Sequence, residues 1–265
     1  MPAVDLNADL GESFSNYKLG QDEVLIPLLT SAHLACGWHA ADPLVIDDTV
    51  QLCKRAGIQI GGHPSFPDRV GFGRRVLDVT GREAETDMVY QLGALDAFCR
   101  RHSVRLEHVK PHGALYNHAA VTPEVAKGIA AGVASFRPDL LVVCAPASEM
   151  AKAAEEAGLI IAPEGFIDRA YNPDGTLASR RQEGTLLHEH QKAIEQALRM
   201  VTEGTVVATD GTVVDLPPVT LCVHGDNPDA VDFIRGLRER LTAAGVALKP
   251  ARELVGARAP GPAGA

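Results

Sequence analysis

Short apolar runs rich in β-branched residues alternate along the chain with longer stretches whose apolar residues recur every three or four positions. That alternation is the mark of βα units wound around a parallel sheet and predicts an α/β fold. Strand-like runs fall at Val4–Leu6, Ala32–Ala35, Gln59–Gly62, Glu107–Lys110, Leu140–Cys144, Ile160–Pro163 and Val219–His224. Helices are predicted between them at Pro43–Ala56 and at Arg82–Arg101, where Val89, Leu92, Leu95 and Cys99 would line one buried face. A last helix is expected over Pro228–Ala244, with Asp226 or Asn227 as N-cap, Pro228 in the first turn and Gly245 just past the end. The segments Leu10–Tyr17, Pro64–Arg75 and Gly165–Leu186 are polar, irregular or Gly-rich and read as functional loops. Thr205–Leu216, with Asp210-Gly211 between two β-rich runs, reads as an external hairpin.

No linker or internal repeat divides residues 1–258, whereas Ala259–Ala265 contains only Pro, Gly and Ala and is expected to be a disordered tail. A hydrophobic fraction of 46% with 22% charged residues is that of a folded globular chain able to bury a large core. The net charge of −9 argues against a sequence-independent grip on nucleic acid or anionic membrane, both of which need clustered Lys and Arg. The longest apolar region, Val24–Ala41, is interrupted by Pro27, Thr30, Ser31, His33 and His39, so no membrane span is expected. The N-terminus shows no basic, cleavable apolar leader, and the five cysteines form no CxxC pair. Together these point to a cytoplasmic protein with reduced thiols.

Polar residues cluster immediately after the predicted strands, where parallel α/β folds bind and react their substrates. The clusters are 5–14 (DLNADLGESF), 35–43 (ACGWHAADP), 62–64 (GHP) with 71–75 (GFGRR), 108–117 (HVKPHGALYN), 164–171 (EGFIDRAY) and 222–226 (CVHGD). His39, His63, His112 and His224 follow four different strands, and imidazole serves near neutral pH as base or metal ligand. His33, His102, His118, His188 and His190 lack that placement and read as surface or helix residues. Asp9, His63 and His112 are candidates for a metal site that leaves coordination positions open. Lys110, ahead of Pro111, is placed to hold an anion or a developing oxyanion. Asp168 and Asp226 are acid or base candidates, although Asp226 has capping as a rival role. Alternation along the first strand puts Asp5, Asn7 and Asp9 on one side; Asp9 and Glu12 reach the mouth, and Asp5 reads as structural. Arg74, Arg75, Arg169, Arg180 and Arg181 can grip a carboxylate bidentately. Asn7, Arg74, Tyr116 and Arg169 are the expected substrate contacts, and Cys36 is expected to be a buried thiol more than a nucleophile.

In this order, over Val4 to about Val246, the clusters resemble the LamB/YcsF family. The resemblance implies a single (β/α) barrel of seven parallel strands, similar to sugar hydrolases and deacetylases. It also implies ATP-dependent hydrolytic opening of the lactam ring of 5-oxoproline to L-glutamate, in company with partner subunits B and C. Trp38, Ala8, Ser65 and Phe66 depart from the expected pattern without removing a titratable group. There is no GxxxxGK[ST] loop and no GxGxxG after a strand, so ATP, the expected co-substrate, is expected to bind another chain. The absence of a Gly-x-Ser-x-Gly elbow disfavours a serine hydrolase. Two rival expectations are a stand-alone metal-dependent deacetylase or carbohydrate hydrolase, and a non-catalytic subunit that presents substrate to a partner.

Overall fold

The computed structural model describes residues 1–178, 182, 184–187, 189–223 and 230–258. Ten strands are described: β1 (Ala3–Leu10), β2 (Ser31–Ala35), β3 (Gln59–His63), β4 (Leu106–Val109), β5 (Leu141–Cys144), β6 (Ile160–Phe166), β7 (Thr205–Val207), β8 (Val213–Asp215), β9 (Thr220–Val223) and β10 (Ala247–Leu248). The helices are α1 (Asp22–Leu25), α2 (Pro43–Ala56), α3 (Gly81–Arg101), α4 (Gly113–Ala119), α5 (Pro123–Phe136), α6 (Glu149–Glu156), α7 (His190–Glu203), α8 (Ala230–Ala243) and α9 (Ala251–Arg258).

Strands β1 to β6 pair in sequence and in parallel, and β9 pairs with both β6 and β1, which closes a seven-stranded parallel barrel. The two-residue β10 adds an eighth parallel partner outside the ring, on the first residues of β1. The hairpin β7–β8 forms its own antiparallel pair, as the Asp210-Gly211 turn predicts. No described helix is long and apolar enough to cross a membrane.

Local chemistry accounts for the helix ends. Asp42 accepts hydrogen bonds from Leu44 N and Val45 N at 2.9 and 3.1 Å, Pro43 opens the first turn of α2, and Gly57 ends it at φ +70°. The start of α3 is a reciprocal capping box between Thr80 and Glu83, so the helix begins one residue before the predicted Arg82. Its buried stripe is Met88, Leu92, Leu95 and Cys99; Val89, expected in that stripe, is 40% exposed, because α5 packs one position round the helix. The predicted strand end at His224, the helix start at Pro228 with its candidate caps, and the Ala259–Ala265 tail lie outside the described residues.

Two strands run further than their apolar runs suggest. β1 continues through Asp9 and Leu10, and β6 through Glu164 to Phe166. In β1 the alternation Val4-Asp5-Leu6-Asn7-Ala8-Asp9-Leu10 is a two-faced pattern. Val4, Leu6, Ala8 and Leu10 pack in the main core shared with the helices, and the polar series faces the barrel interior. Contacts across the barrel show this directly: Lys110, just after β4, reaches Asp9 on β1, Glu164 on β6 and Cys222 on β9. Strand register extends the polar lining sideways, since Asp9 pairs with His33, His33 with Gly61, and Gly61 with His108. Lower down, Asp5 accepts hydrogen bonds from the hydroxyls of Thr30, Ser31 and Thr220, which tie it to the neighbouring strands. At the N-terminal end of the strands, Leu141, Val143, Ala162 and Val219 form an apolar cluster with Ala251, Leu254 and Val255 of α9.

Candidate active site

A cavity of about 1080 Å³ opens at the C-terminal ends of the strands, lined by Asp9, Glu12, His63, Lys110 and His112 among others. Each comes from a strand end or the turn after it. Gly11, at φ +69°, turns the chain out of β1 and brings Glu12 back over the mouth. Gly73 is equally constrained: at φ +64° it lets Ala114 N donate to its carbonyl, and a Cβ there would lie 2.7 Å from the His112 ring.

Backbone carbonyls decide how the two central imidazoles are protonated. His63 Nδ1 lies 2.7 Å from Lys110 O, and His112 Nε2 lies 2.8 Å from Phe72 O. A carbonyl only accepts, so these nitrogens carry the protons, and in neutral rings the other nitrogen of each is a bare lone pair. Those two nitrogens, His63 Nε2 and His112 Nδ1, face each other at 3.0 Å. Carboxylates approach the same point: Glu12 Oε1 is 3.5 Å from His112 Nδ1, and Asp9 Oδ2 is 3.3 Å from His63 Nε2. Two lone pairs and two carboxylates around one point repel unless a positive charge, a proton or a metal cation, sits among them.

Among the described residues, the ligand atoms that converge as a metal site would require are those of Glu12, His63 and His112, all within 4.8 Å of one another. The sequence-based set named Asp9 in place of Glu12. Asp9 is also held by groups outside that triad, with Lys110 Nζ at 3.2 Å and His33 Nδ1 at 3.3 Å from its Oδ1. Burial opposes ionisation of Asp9, yet its cationic and imidazole neighbours hold its pKa well below the usual carboxylate value. Glu12 moves the other way, raised mainly by burial. Burial likewise pushes His112 down to about 2 and His39 well below its ordinary value. His39 does not line the cavity; it stacks on His112 at 3.7 Å, and its Nε2 lies 2.9 Å from Glu12 Oε1.

Lys110 has three donors and three close acceptors: Glu164 Oε1 at 2.8 Å, Asp9 Oδ1 at 3.2 Å and Cys222 Sγ at 3.2 Å. It is an internal counter-ion for two carboxylates more than a free anion grip. Glu164 heads the polar cluster 164–171, but the sequence assigns it no role, because its partner Lys110 comes from a distant strand. Its parity with Phe166 in the longer strand is the signal that finds it. His33 is a correction: read as a surface or helix residue, it is fully buried in β2 and faces Asp9. Asp22, also unmarked in the sequence, lines the cavity wall and accepts a hydrogen bond from Gly11 N at 2.8 Å.

Of the expected substrate contacts, Arg74, Tyr116 and Arg169 line the cavity. Asn7 does not: it is buried one layer down, where its Nδ2 donates to Thr220 Oγ1 at 2.5 Å. Arg169 is buried and donates to Ala178 O at 2.6 Å. Arg74 is exposed at the rim, over the Phe72 ring, with no acidic side chain in ion-pair contact among the described residues. Arg75 is committed to Asp68. Asp168 follows β6 but is not among the cavity-lining side chains. His224, Asp226, Arg180, Arg181 and His188 lie outside the described residues. Cys36 is buried with its thiol pushed up to about 12, which makes it a poor nucleophile.

The profile of the LamB/YcsF family matches residues 4–256. This chain belongs to the LamB/YcsF family. Among its curated relatives, the A subunit of 5-oxoprolinase from Methylococcus capsulatus is 51% identical over 92% of this chain and 94% of its own length. The protein of the same name from Thermococcus sibiricus is 47% identical over 95% of this chain and 99% of its own. A solved structure, the lactam utilization protein of Thermus thermophilus, superposes with a TM-score of 0.90 at 44% identity, covering 93% of this chain and 99% of that one.

Proposed function

We propose that this LamB/YcsF chain opens the lactam ring of 5-oxoproline to give L-glutamate, as the A component of an ATP-dependent 5-oxoprolinase whose partner subunits, B and C, bind ATP and activate the lactam oxygen. Relatives close in sequence carry the 5-oxoprolinase name over nearly their whole length. The observation that carries the reading is the charge-demanding point between His63 Nε2 and His112 Nδ1, flanked by Glu12 and Asp9 at the cavity floor.

Lactam hydrolysis needs an electrophilic carbonyl, a water to attack it and a proton for the departing nitrogen. Arg74, at the rim without an acidic partner among the described residues, is suited to take the substrate carboxylate in a charge-assisted pair. Glu12, made a stronger base by burial, is placed to accept a proton from the attacking water and pass it to nitrogen as the C–N bond breaks. Asp9, held ionised beside Lys110, is too weak a base for that task and serves as a negative charge beside His63 Nε2 that favours a cation between the facing imidazoles. The donor set of Glu12, His63 and His112 also fits a divalent metal, since the two facing nitrogens are bare and a carboxylate adjoins them. Such an ion would supply Lewis-acid polarisation of the lactam carbonyl.

The decisive assay is glutamate release from 5-oxoproline and ATP by this chain alone, then with B and C. Release is expected only from the complete mixture, with loss of roughly 10²–10⁴-fold in kcat for Glu12→Gln. Arg74→Ala is expected to raise KM by roughly 10–100-fold, the loss of one charge-assisted contact of about 1.5–3 kcal/mol. Absence of glutamate from every combination would overturn the reading.

A further inference from the structure

Below the mouth, the barrel interior holds two histidines that the proposed reaction does not use. His33 on β2 and His108 on β4 are both buried, with ring centroids 4.8 Å apart and planes at 89°. Among the described residues, both nitrogens of His108 and both nitrogens of His33 lack a formed hydrogen bond. An orphaned buried polar atom costs roughly 1–3 kcal/mol, whereas Leu or Phe would fill the same space without that cost. Core filling therefore does not account for these side chains.

The contact that an apolar side chain could not make is the one with Asp9. His33 Nδ1 lies 3.3 Å from Asp9 Oδ1, longer than the usual ~2.9 Å of a formed bond. Lys110 Nζ approaches the same oxygen at 3.2 Å, and His63 Nε2 stands 3.3 Å from Oδ2. The carboxylate is thus bounded on three sides, and His33 supplies the side that neither Lys110 nor His63 covers. His108 holds His33 from behind. Its ring occupies space that opens only because residue 61 is glycine: a Cβ there would lie 2.1 Å from His108 Cδ2. Gly61 pairs with His33 on one side and with His108 on the other, so the three positions form one row across β2, β3 and β4.

We propose that His33 is a positioning residue: with Nδ1 turned to Asp9 at 3.3 Å, and braced by His108 in the gap left by Gly61, it keeps the carboxylate beside His63 Nε2, where its negative charge favours the positive charge that the facing imidazoles require. The assignment rests on the reading of the mouth as the lactam-opening site. Burial holds His33 near 3, so the ring stays neutral.

The test uses the full chain with its B and C partners and three variants, His33→Ala, His33→Asn and His33→Gln. The Asn amide nitrogen falls close to the imidazole Nδ1 position, and that of Gln close to Nε2. His33→Ala and His33→Gln are expected to lower kcat for glutamate release by roughly 10–100-fold with KM within about twofold, and His33→Asn to recover most of the loss. Crystal structures should show the Asp9 carboxylate turned away in the Ala and Gln variants and in place in the Asn variant. Equal kcat in Asn and Gln, or an unmoved Asp9 in the Gln or Ala crystals, would overturn the proposal. If His33→Ala does not fold, the Asn and Gln pair decides alone. If the unsubstituted complete mixture releases no glutamate, the reaction assignment falls, and the orientation of Asp9 in the crystals still decides the role of His33.

Discussion

Burial lifts the Asp22 carboxyl from 3.8 to about 6, with Glu12 and Glu23 adding to the rise and the Gly11 N–H opposing it. A folded-state pKa above the unfolded one means that the folded chain holds the proton more tightly. The stabilisation is therefore complete below the unfolded pKa, near 3.8, and is lost as pH rises through about 6. A displacement of roughly two units corresponds to at most about 3 kcal/mol. Asp22→Asn keeps an acceptor for Gly11 N and cannot ionise. Urea denaturation should find it more stable than the parent by up to about 3 kcal/mol near pH 7.5, with the gap closing below about pH 4. Nothing in the residues around Asp22 announces this, because the desolvation comes from chain that reaches it only in the folded barrel. Lys110 is the opposite case: its place after a strand marks it from sequence alone, while the two carboxylates that occupy it come from β1 and β6.

Helices α3 and α5 show how an element can be right in sequence and still be ruled by its neighbour. The periodicity of 82–101 predicts the helix, but α5 selects Met88 in preference to Val89 for the buried stripe. The close approach needs two glycines in α5. A Cβ on Gly128 would lie 2.1 Å from Gly81 O, and one on Gly132 would lie 2.5 Å from Glu85 O. Alanine is the better helix former by about 1 kcal/mol. Here the obstructing atom is backbone and cannot swing aside, so overpacking wins. Gly128→Ala is expected to destabilise the chain by roughly 1–3 kcal/mol in urea denaturation, and a neutral or stabilising result would show that α3 can move.

At the scale of the whole molecule, the barrel is closed at one end by chemistry and at the other by packing. Helix α9 covers the N-terminal ends of the strands, with Leu254 and Val255 over Leu141, Val143, Ala162 and Val219, and Arg252 Nη2 donates to Glu107 O at 2.9 Å. Burial of a Leu or Val side chain contributes roughly 1.5–3 kcal/mol, a large share of a typical 5–15 kcal/mol stability. Truncation after Lys249 is expected to lower Tm by roughly 10 °C or more and to expose the apolar cluster to a hydrophobic dye. An unchanged Tm would mean that the barrel floor is sealed without α9.

The βα alternation, the hairpin at Asp210-Gly211, the caps of α2 and the placing of His63, Lys110 and His112 at strand ends are legible in the chain because each depends on residues within a few positions of one another. The partners inside the barrel are not. Both faces of a barrel strand are buried, so the alternation in β1 separates Asp5, Asn7 and Asp9 from Val4, Leu6 and Ala8 without saying which series faces inward. That choice, the register that sets Asp9 beside His33, and the preference for Glu12 over Asp9 between the facing imidazoles depend on contacts between strands and loops far apart in sequence. Local propensity carries no information about such pairings; only closing the ring of hydrogen-bonded strands settles them.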